Sequence, residues 1–109
     1  MQSISSSKKS RKPLFFDRTE LGQILATYST RVANGEWRDY AIDHLPGNAS
    51  FYIFRHTHDS PLYIVEKQQR HPNETPKFIL RDRKKIIYNG KSMQDIVFYF
   101  NRLPRLIAR

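Results

Sequence analysis

The chain has 109 residues and a formal net charge of +9, and it contains no cysteine. This length corresponds to one domain, and the absence of cysteine excludes disulfides, thiol catalysis, iron–sulfur clusters and cysteine-ligated zinc. The longest apolar run, residues 96–100, is far shorter than the ~20 residues that a membrane span needs, and the positive charge favours an anionic partner.

The N-terminal segment is basic and has almost no apolar residues. It contains no acid, and its basic residues are Lys8, Lys9, Arg11 and Lys12. Such a composition cannot form a core, so residues 1–13 are predicted to be a disordered basic tail. A secretory signal would need an apolar stretch of at least about seven residues here. We therefore expect a cytoplasmic protein whose single ordered domain spans residues 14–109.

A first helix is predicted over residues 18–33. Asp17 and Glu20 have the spacing of a capping box, and Asn34-Gly35 supplies a left-handed stop. The apolar residues between these signals recur at helical spacing and form one stripe: Leu21, Ile24, Leu25, Tyr28 and Val32.

The middle of the chain alternates apolar and less apolar residues, as half-buried strands do. Five short strands are predicted around residues 40–42, 51–53, 62–67, 78–80 and 86–88. Pro46-Gly47-Asn48 gives a tight turn between the first two strands, and a charged turn over residues 82–85 joins the last two. The last two strands therefore form a hairpin.

A second helix is predicted after the strands. Ser92 and Asp95 have the spacing of another capping box, and Pro104 should end the helix near Arg102. The apolar face of this helix contains Ile96, Phe100, Leu103 and Ile107. The predicted fold class is α+β, with a helix, an antiparallel meander of four to five strands and a helix. Both helices are expected on one face of the sheet, because they alone can cover its apolar side.

Three segments carry a family resemblance. They are FDRTEL at residues 16–21, GEWRDYAID at 35–43 and PLYIVEK at 61–67. Together they resemble the alphaproteobacterial domain-of-unknown-function family numbered 2794, over about residues 14–109. The resemblance implies a small bacterial cytoplasmic protein, and it implies no activity and no catalytic residue.

Catalytic and metal-binding signatures are weak. His56, His58 and Asp59 could each donate to a divalent ion, but the following Ser60-Pro61 indicates a turn, and a solvated loop is the preferred interpretation. The chain has only four glycines, too few for a phosphate-cradling loop, and no nucleophile elbow. We therefore predict a protein that is not an enzyme and has no metal site, no catalytic residue and no small-molecule cofactor.

Trp37 is the one tryptophan of the chain and is followed by Arg38. The preferred interpretation is a core anchor that holds the first helix to the first strand. The alternative is an exposed aromatic platform for a partner, with Arg38 beside it.

The densest basic cluster falls on and around the predicted hairpin. Its members are Lys77, Arg81, Arg83, Lys84, Lys85 and Lys91. With Phe78 and Tyr88 close by, such a hairpin could bind nucleic acid or another polyanion through backbone phosphates. A solvated hairpin is the alternative, because lysines on an edge strand also block unwanted pairing.

Two functional hypotheses follow from these patterns. The first is a small non-enzymatic binding module that contacts nucleic acid through the basic hairpin. The second is a protein-interaction or regulatory module that uses the GEWRDY segment, residues 35–40, and the uncovered face of the sheet. Neither hypothesis involves a membrane.

Overall fold

Two helices enclose a run of five strands in the chain order of the computed structural model, which describes residues 12–56, 60–83 and 85–103. The elements are α1 (Arg18–Ala33), β1 (Asp39–Leu45), β2 (Asn48–Phe54), β3 (Tyr63–Gln68), β4 (Lys77–Asp82), β5 (Lys85–Gly90) and α2 (Met93–Arg102). The predicted order of helix, meander and helix is confirmed. Residues 1–11 of the predicted tail and Ile107 lie outside the described residues, and Pro13 forms an isolated bridge with Pro46.

The five strands form one antiparallel sheet in sequence order. Each strand pairs with the next along the chain. A β-bulge between Leu80 and Arg81 interrupts the last pairing. In a meander of this kind the C-terminal ends of β2 and β4 lie at the same edge of the sheet, which brings together residues distant in sequence.

Helix α1 begins and ends where the sequence predicts. The Asp17 carboxylate accepts from the Glu20 backbone N–H at 2.7 Å, and the Glu20 carboxylate accepts from the Asp17 N–H at 2.8 Å. Both halves of the capping box are therefore present. Gly35 follows with a φ of 77°, the left-handed conformation that ends helices.

Helix α2 has a modified cap. Ser92 accepts from the Asp95 backbone N–H at 3.2 Å, as predicted. The Asp95 carboxylate accepts from the Lys91 N–H at 2.8 Å, one residue before the predicted position. The helix ends at Arg102, in agreement with the expected effect of Pro104 on the residues before it.

Both helices pack on the same face of the sheet, as predicted. Ile24 of α1 and Phe100 of α2 are fully buried in one core cluster, together with the sheet residues Phe51, Val65 and Leu80. We call the opposite side of the sheet, which no described helix covers, the open face.

Gly22 and Gly90 differ in the space available for an added methyl group. Gly22 is exposed on α1, and an added Cβ would meet nothing within 4 Å, whereas a Cβ on Gly90 would lie 2.8 Å from the Cβ of Asp95. We expect Gly22→Ala to raise the free energy of unfolding by about 0.5–1 kcal/mol. Gly90→Ala should lower it by about 1–3 kcal/mol, because it crowds the start of α2. Urea denaturation measures both, and equal effects of the two substitutions would contradict this packing.

Candidate nucleic-acid interface

The predicted basic hairpin exists, but it divides its charges between two ends. Arg83 and Lys85 lie at the tip, whereas Lys77 opens β4 and Lys91 follows β5. A strand of this length spans about 17–20 Å, so tip and base cannot contact one phosphate. Lys84 lies outside the described residues. The sequence cluster is therefore two separate groups in the structure.

Arg81 lies between these groups and is partly neutralised. Its Nε is 3.2 Å from Oε1 of Glu66, the oxygen that also accepts from the Gln68 side chain at 3.1 Å. Arg81 alternates with the buried Leu80 along β4, so it lies on the open face.

Arg55 was not among the predicted site residues, and it joins the tip group. It follows β2, and the meander brings it to the edge where β4 ends. A cavity of about 360 Å³ is lined by Arg55, Ser60, Leu62 and Arg83, and we call it the tip cavity. Within the described ranges, neither guanidinium forms an ion pair with a carboxylate. The antiparallel order of the predicted strands was the signal that could have found Arg55.

The aromatic residues near the tip differ from those predicted. Phe78 is buried beneath the helices, and Tyr88 stacks on Tyr99 of α2 with ring centroids 4.8 Å apart. Phe78 is therefore part of the core, and one side of the Tyr88 ring is covered by Tyr99. Strand alternation along β2 instead places Tyr52 and Phe54 on the open face, opposite to the buried neighbours of the core.

A second cavity adjoins the tip cavity on the open face. It has a volume of about 560 Å³ and is lined by Ser60, Pro61, Ile64 and Arg83. We call it the open-face cavity. Ser60 and Arg83 line both cavities, so a polar, cationic cavity and a largely apolar one share a border.

Trp37 is a core anchor, and the interpretation as an exposed platform is wrong. Its side chain is 4% exposed. The ring makes an edge contact with Phe100 at 5.1 Å between centroids, and the Arg31 guanidinium lies 5.5 Å from the ring centroid. Arg38 is exposed, and its backbone N–H donates to the Phe54 carbonyl at 2.8 Å.

A third cleft lies on the helix side of the same edge. Its volume is about 200 Å³, and its lining includes Glu36, Trp37, Arg55 and Tyr63. Burial raises the pKa of the Tyr63 phenol, an effect that Asp82 reinforces and the Arg31 charge opposes.

The described part of the chain contains no group of three or more His, Asp or Glu side chains that could hold a metal ion. His58 and Asp59 of the candidate His-x-His-Asp segment lie outside it. Among the helices in the described ranges, none is long and apolar enough to cross a membrane.

A family model matches residues 14–97, which is well over half of the chain. The chain belongs to the DUF2794 family. The family is described as proteins of unknown function, so membership confirms the resemblance seen in the sequence and assigns no activity. No curated protein and no solved structure matches the chain. Arg55, Ser60 and Arg83 fall inside the matched region, so both cavities belong to the DUF2794 domain.

Proposed function

We propose that this DUF2794 protein is a non-enzymatic module that binds nucleic acid by its backbone phosphates at the tip cavity. The observation that carries the proposal is the pair of guanidiniums, Arg55 and Arg83, which line one cavity without a carboxylate partner in the described ranges. Two such cations in one cavity repel each other unless an anion lies between them. Guanidinium groups bind phosphate oxygens in a bidentate geometry.

Further charge supports a large anion over a small one. Lys85 lies beside Arg83 at the same end of the hairpin, and the net charge of the whole chain is +9. A field of this sign draws a polyanion to the protein and gives binding that weakens as salt rises. The cytoplasm, where we place this protein, offers such partners.

The test compares two charge-matched double variants in the full-length protein. Arg55→Ser with Arg83→Ser removes two charges at the tip cavity, and Lys77→Ser with Lys91→Ser removes two at the hairpin base. We expect the tip variant to bind a labelled RNA at least about tenfold more weakly, since hydrogen bonds to charged groups contribute about 1.5–3 kcal/mol each. Its salt slope should fall by about 0.7 for each phosphate of a single strand that the variant no longer binds, and the base variant should change little.

The controls concern the tail and the fold. The same pair of variants without residues 1–12 removes the tail's basic residues, which could mask the effect at low salt. Thermal unfolding should be nearly unchanged, because exposed charges contribute little to stability. Absence of RNA binding by the wild type at low salt, or equal weakening by the two variants, would contradict the proposal.

A protein-interaction module is the second candidate. The burial of Trp37 removes the centre of the GEWRDY segment from any interface, but the open face keeps exposed apolar side chains, including Ile86 at 45%. Binding anchored by apolar residues would respond weakly to salt, so the same titration separates the two candidates.

A further inference from the structure

We infer that the nucleic acid bound at the tip cavity is single-stranded, with its bases lying on the open face of the sheet. This inference rests on the proposed function and adds the class of strand and the surface that holds its bases. Its basis is the border between the tip cavity and the open-face cavity, which places an apolar surface directly beside a phosphate-binding position.

The open face carries a row of three apolar residues and one arginine, and its member Ile64 lines the open-face cavity. Tyr52 on β2 pairs with Ile64 on β3, Ile64 pairs with Arg81 on β4, and Arg81 pairs with Ile86 on β5. Neighbouring strands lie about 4.8 Å apart, so these four residues form a continuous row across the sheet. A sheet face of this size accepts about two or three bases.

The aromatic rings of this surface are free to stack. In the described part of the chain, neither Tyr52 nor Phe54 contacts another aromatic ring, whereas Tyr40 and Tyr88 on the helix side do. Both side chains are half-buried in β2. Bases stack on such rings whatever their sequence, because every base has a π-face.

The charged residues of the open face determine which part of it a nucleic acid strand can contact. Asp39 and Asp43 of β1 lie on this face and repel phosphates. Within the row, Arg81 is basic, and it engages the Glu66 carboxylate. A nucleic acid strand is therefore directed from the tip cavity over β2 to β5 and away from β1.

A duplex does not fit this arrangement. Its phosphates lie outside and its bases are stacked within, so it could meet the arginines but would leave the open-face cavity uncovered. A single strand can turn its bases away from the phosphates. It would thus satisfy Arg55 and Arg83 and also cover Ile64 and Tyr52.

The experiment measures binding of the full-length protein to three labelled ligands of about 12 nucleotides, a length within the range of known single-strand sites. They are an RNA without self-complementarity, its duplex, and an abasic strand with the same phosphates. We expect the RNA to bind at least about tenfold more tightly than either of the others, because each stacked base contributes about 5- to 150-fold.

Two variants separate stacking from charge. Tyr52→Thr, which keeps a residue favourable for strands, should weaken RNA binding by about tenfold without changing the salt slope. Tyr52→Phe should bind as the wild type does, because the ring is retained. Phe98→Thr is the control, since this side chain is 62% exposed on α2, away from the open face.

The outcomes distinguish this inference from the function on which it rests. Equal binding of the RNA, the duplex and the abasic strand, with sensitivity to Arg55 and Arg83 but not to Tyr52, would overturn the inference and leave the proposed function standing. Absence of binding to all three ligands would overturn both. The abasic comparison uses the wild type alone, so it decides the matter even if Tyr52→Thr fails to fold.

Discussion

Arg31→Met is expected to lower the free energy of unfolding by about 3–5 kcal/mol, because it leaves a buried carboxylate without its counter-charge. Arg31 Nη1 lies 2.7 Å from Glu36 Oε1, and both side chains are almost fully buried. The second guanidinium nitrogen donates to the Phe100 carbonyl. Arg31 therefore connects α1 to the segment before β1 and to α2.

The reciprocal substitution, Glu36→Leu, should lower the free energy of unfolding by less than Arg31→Met does. Arg31 would still donate a hydrogen bond to the Phe100 carbonyl, and its guanidinium would stay over the Trp37 ring. Glu36 has no such reserve, because its buried Oε2 has no hydrogen-bond partner among the described residues. Leaving a buried charge without any partner lowers stability more than leaving one that keeps other interactions. Arg31→Met should therefore be less stable than Glu36→Leu.

Guanidinium denaturation of both single variants and of the double variant Arg31→Met, Glu36→Leu measures this coupling. The double variant should recover much of the stability, since apolar residues of similar volume can replace a buried ion pair. A decrease of about 3–5 kcal/mol corresponds to a fall in Tm of at least about 12 °C in a domain of this size. Small additive effects of the two single substitutions would show that the pair contributes little.

The position of Arg31 also shows where helix periodicity fails. The pattern of α1 predicts an apolar stripe ending in Val32, but Val32 is 39% exposed and Arg31 is 5% exposed. Both positions follow Tyr28 at helical spacing, so periodicity alone cannot choose between them. A charged residue is buried only when a partner satisfies it, and the partner, Glu36, lies beyond the end of the helix.

Local signals predicted the elements well because they depend on neighbours in sequence. The Asp17–Glu20 capping box, the glycine stop and the alternation in the strands each act within a few residues. Side-chain orientation in a strand is also local, because successive side chains point to opposite faces of the sheet.

The site was harder to predict because it is assembled by tertiary contacts. The basic residues of the hairpin form a cluster in sequence, but β4 carries Lys77 and Arg83 to opposite ends. Arg55 reaches Arg83 only through the order of the sheet. A cluster of basic residues in sequence is therefore a weaker indication of a binding surface than basic residues at the ends of alternate strands.

The buried pair formed by Lys67 and Glu20 gives the second large expected effect. Lys67 Nζ lies 2.8 Å from Glu20 Oε1 and donates to the Phe15 carbonyl at 2.9 Å. Glu20 Oε1 also accepts from the Asp17 N–H. One carboxylate oxygen thus joins the cap of α1 to the middle strand of the sheet, across 47 residues of sequence.

Glu20→Ala should therefore lower the free energy of unfolding by more than the loss of the helix cap or of the Lys67 ion pair alone. Removing a capping interaction costs about 1 kcal/mol, and leaving the ammonium of Lys67 buried without its carboxylate adds about 2 kcal/mol or more. Lys67→Met should cost about 1–2 kcal/mol, because Glu20 keeps the Asp17 N–H as a donor and is slightly more exposed.

Glu20→Gln separates the two roles of this residue. Its amide oxygen can still accept from the Asp17 N–H, so the cap is retained, but the charge that compensates Lys67 is removed. We expect its stability to fall between that of the wild type and that of Glu20→Ala. In the background of Lys67→Met, Glu20→Gln should be nearly neutral, because no buried ammonium remains to be compensated. Urea denaturation of these five proteins measures this, and an equal cost of Glu20→Gln in both backgrounds would show that the carboxylate stabilises the domain through the helix cap alone.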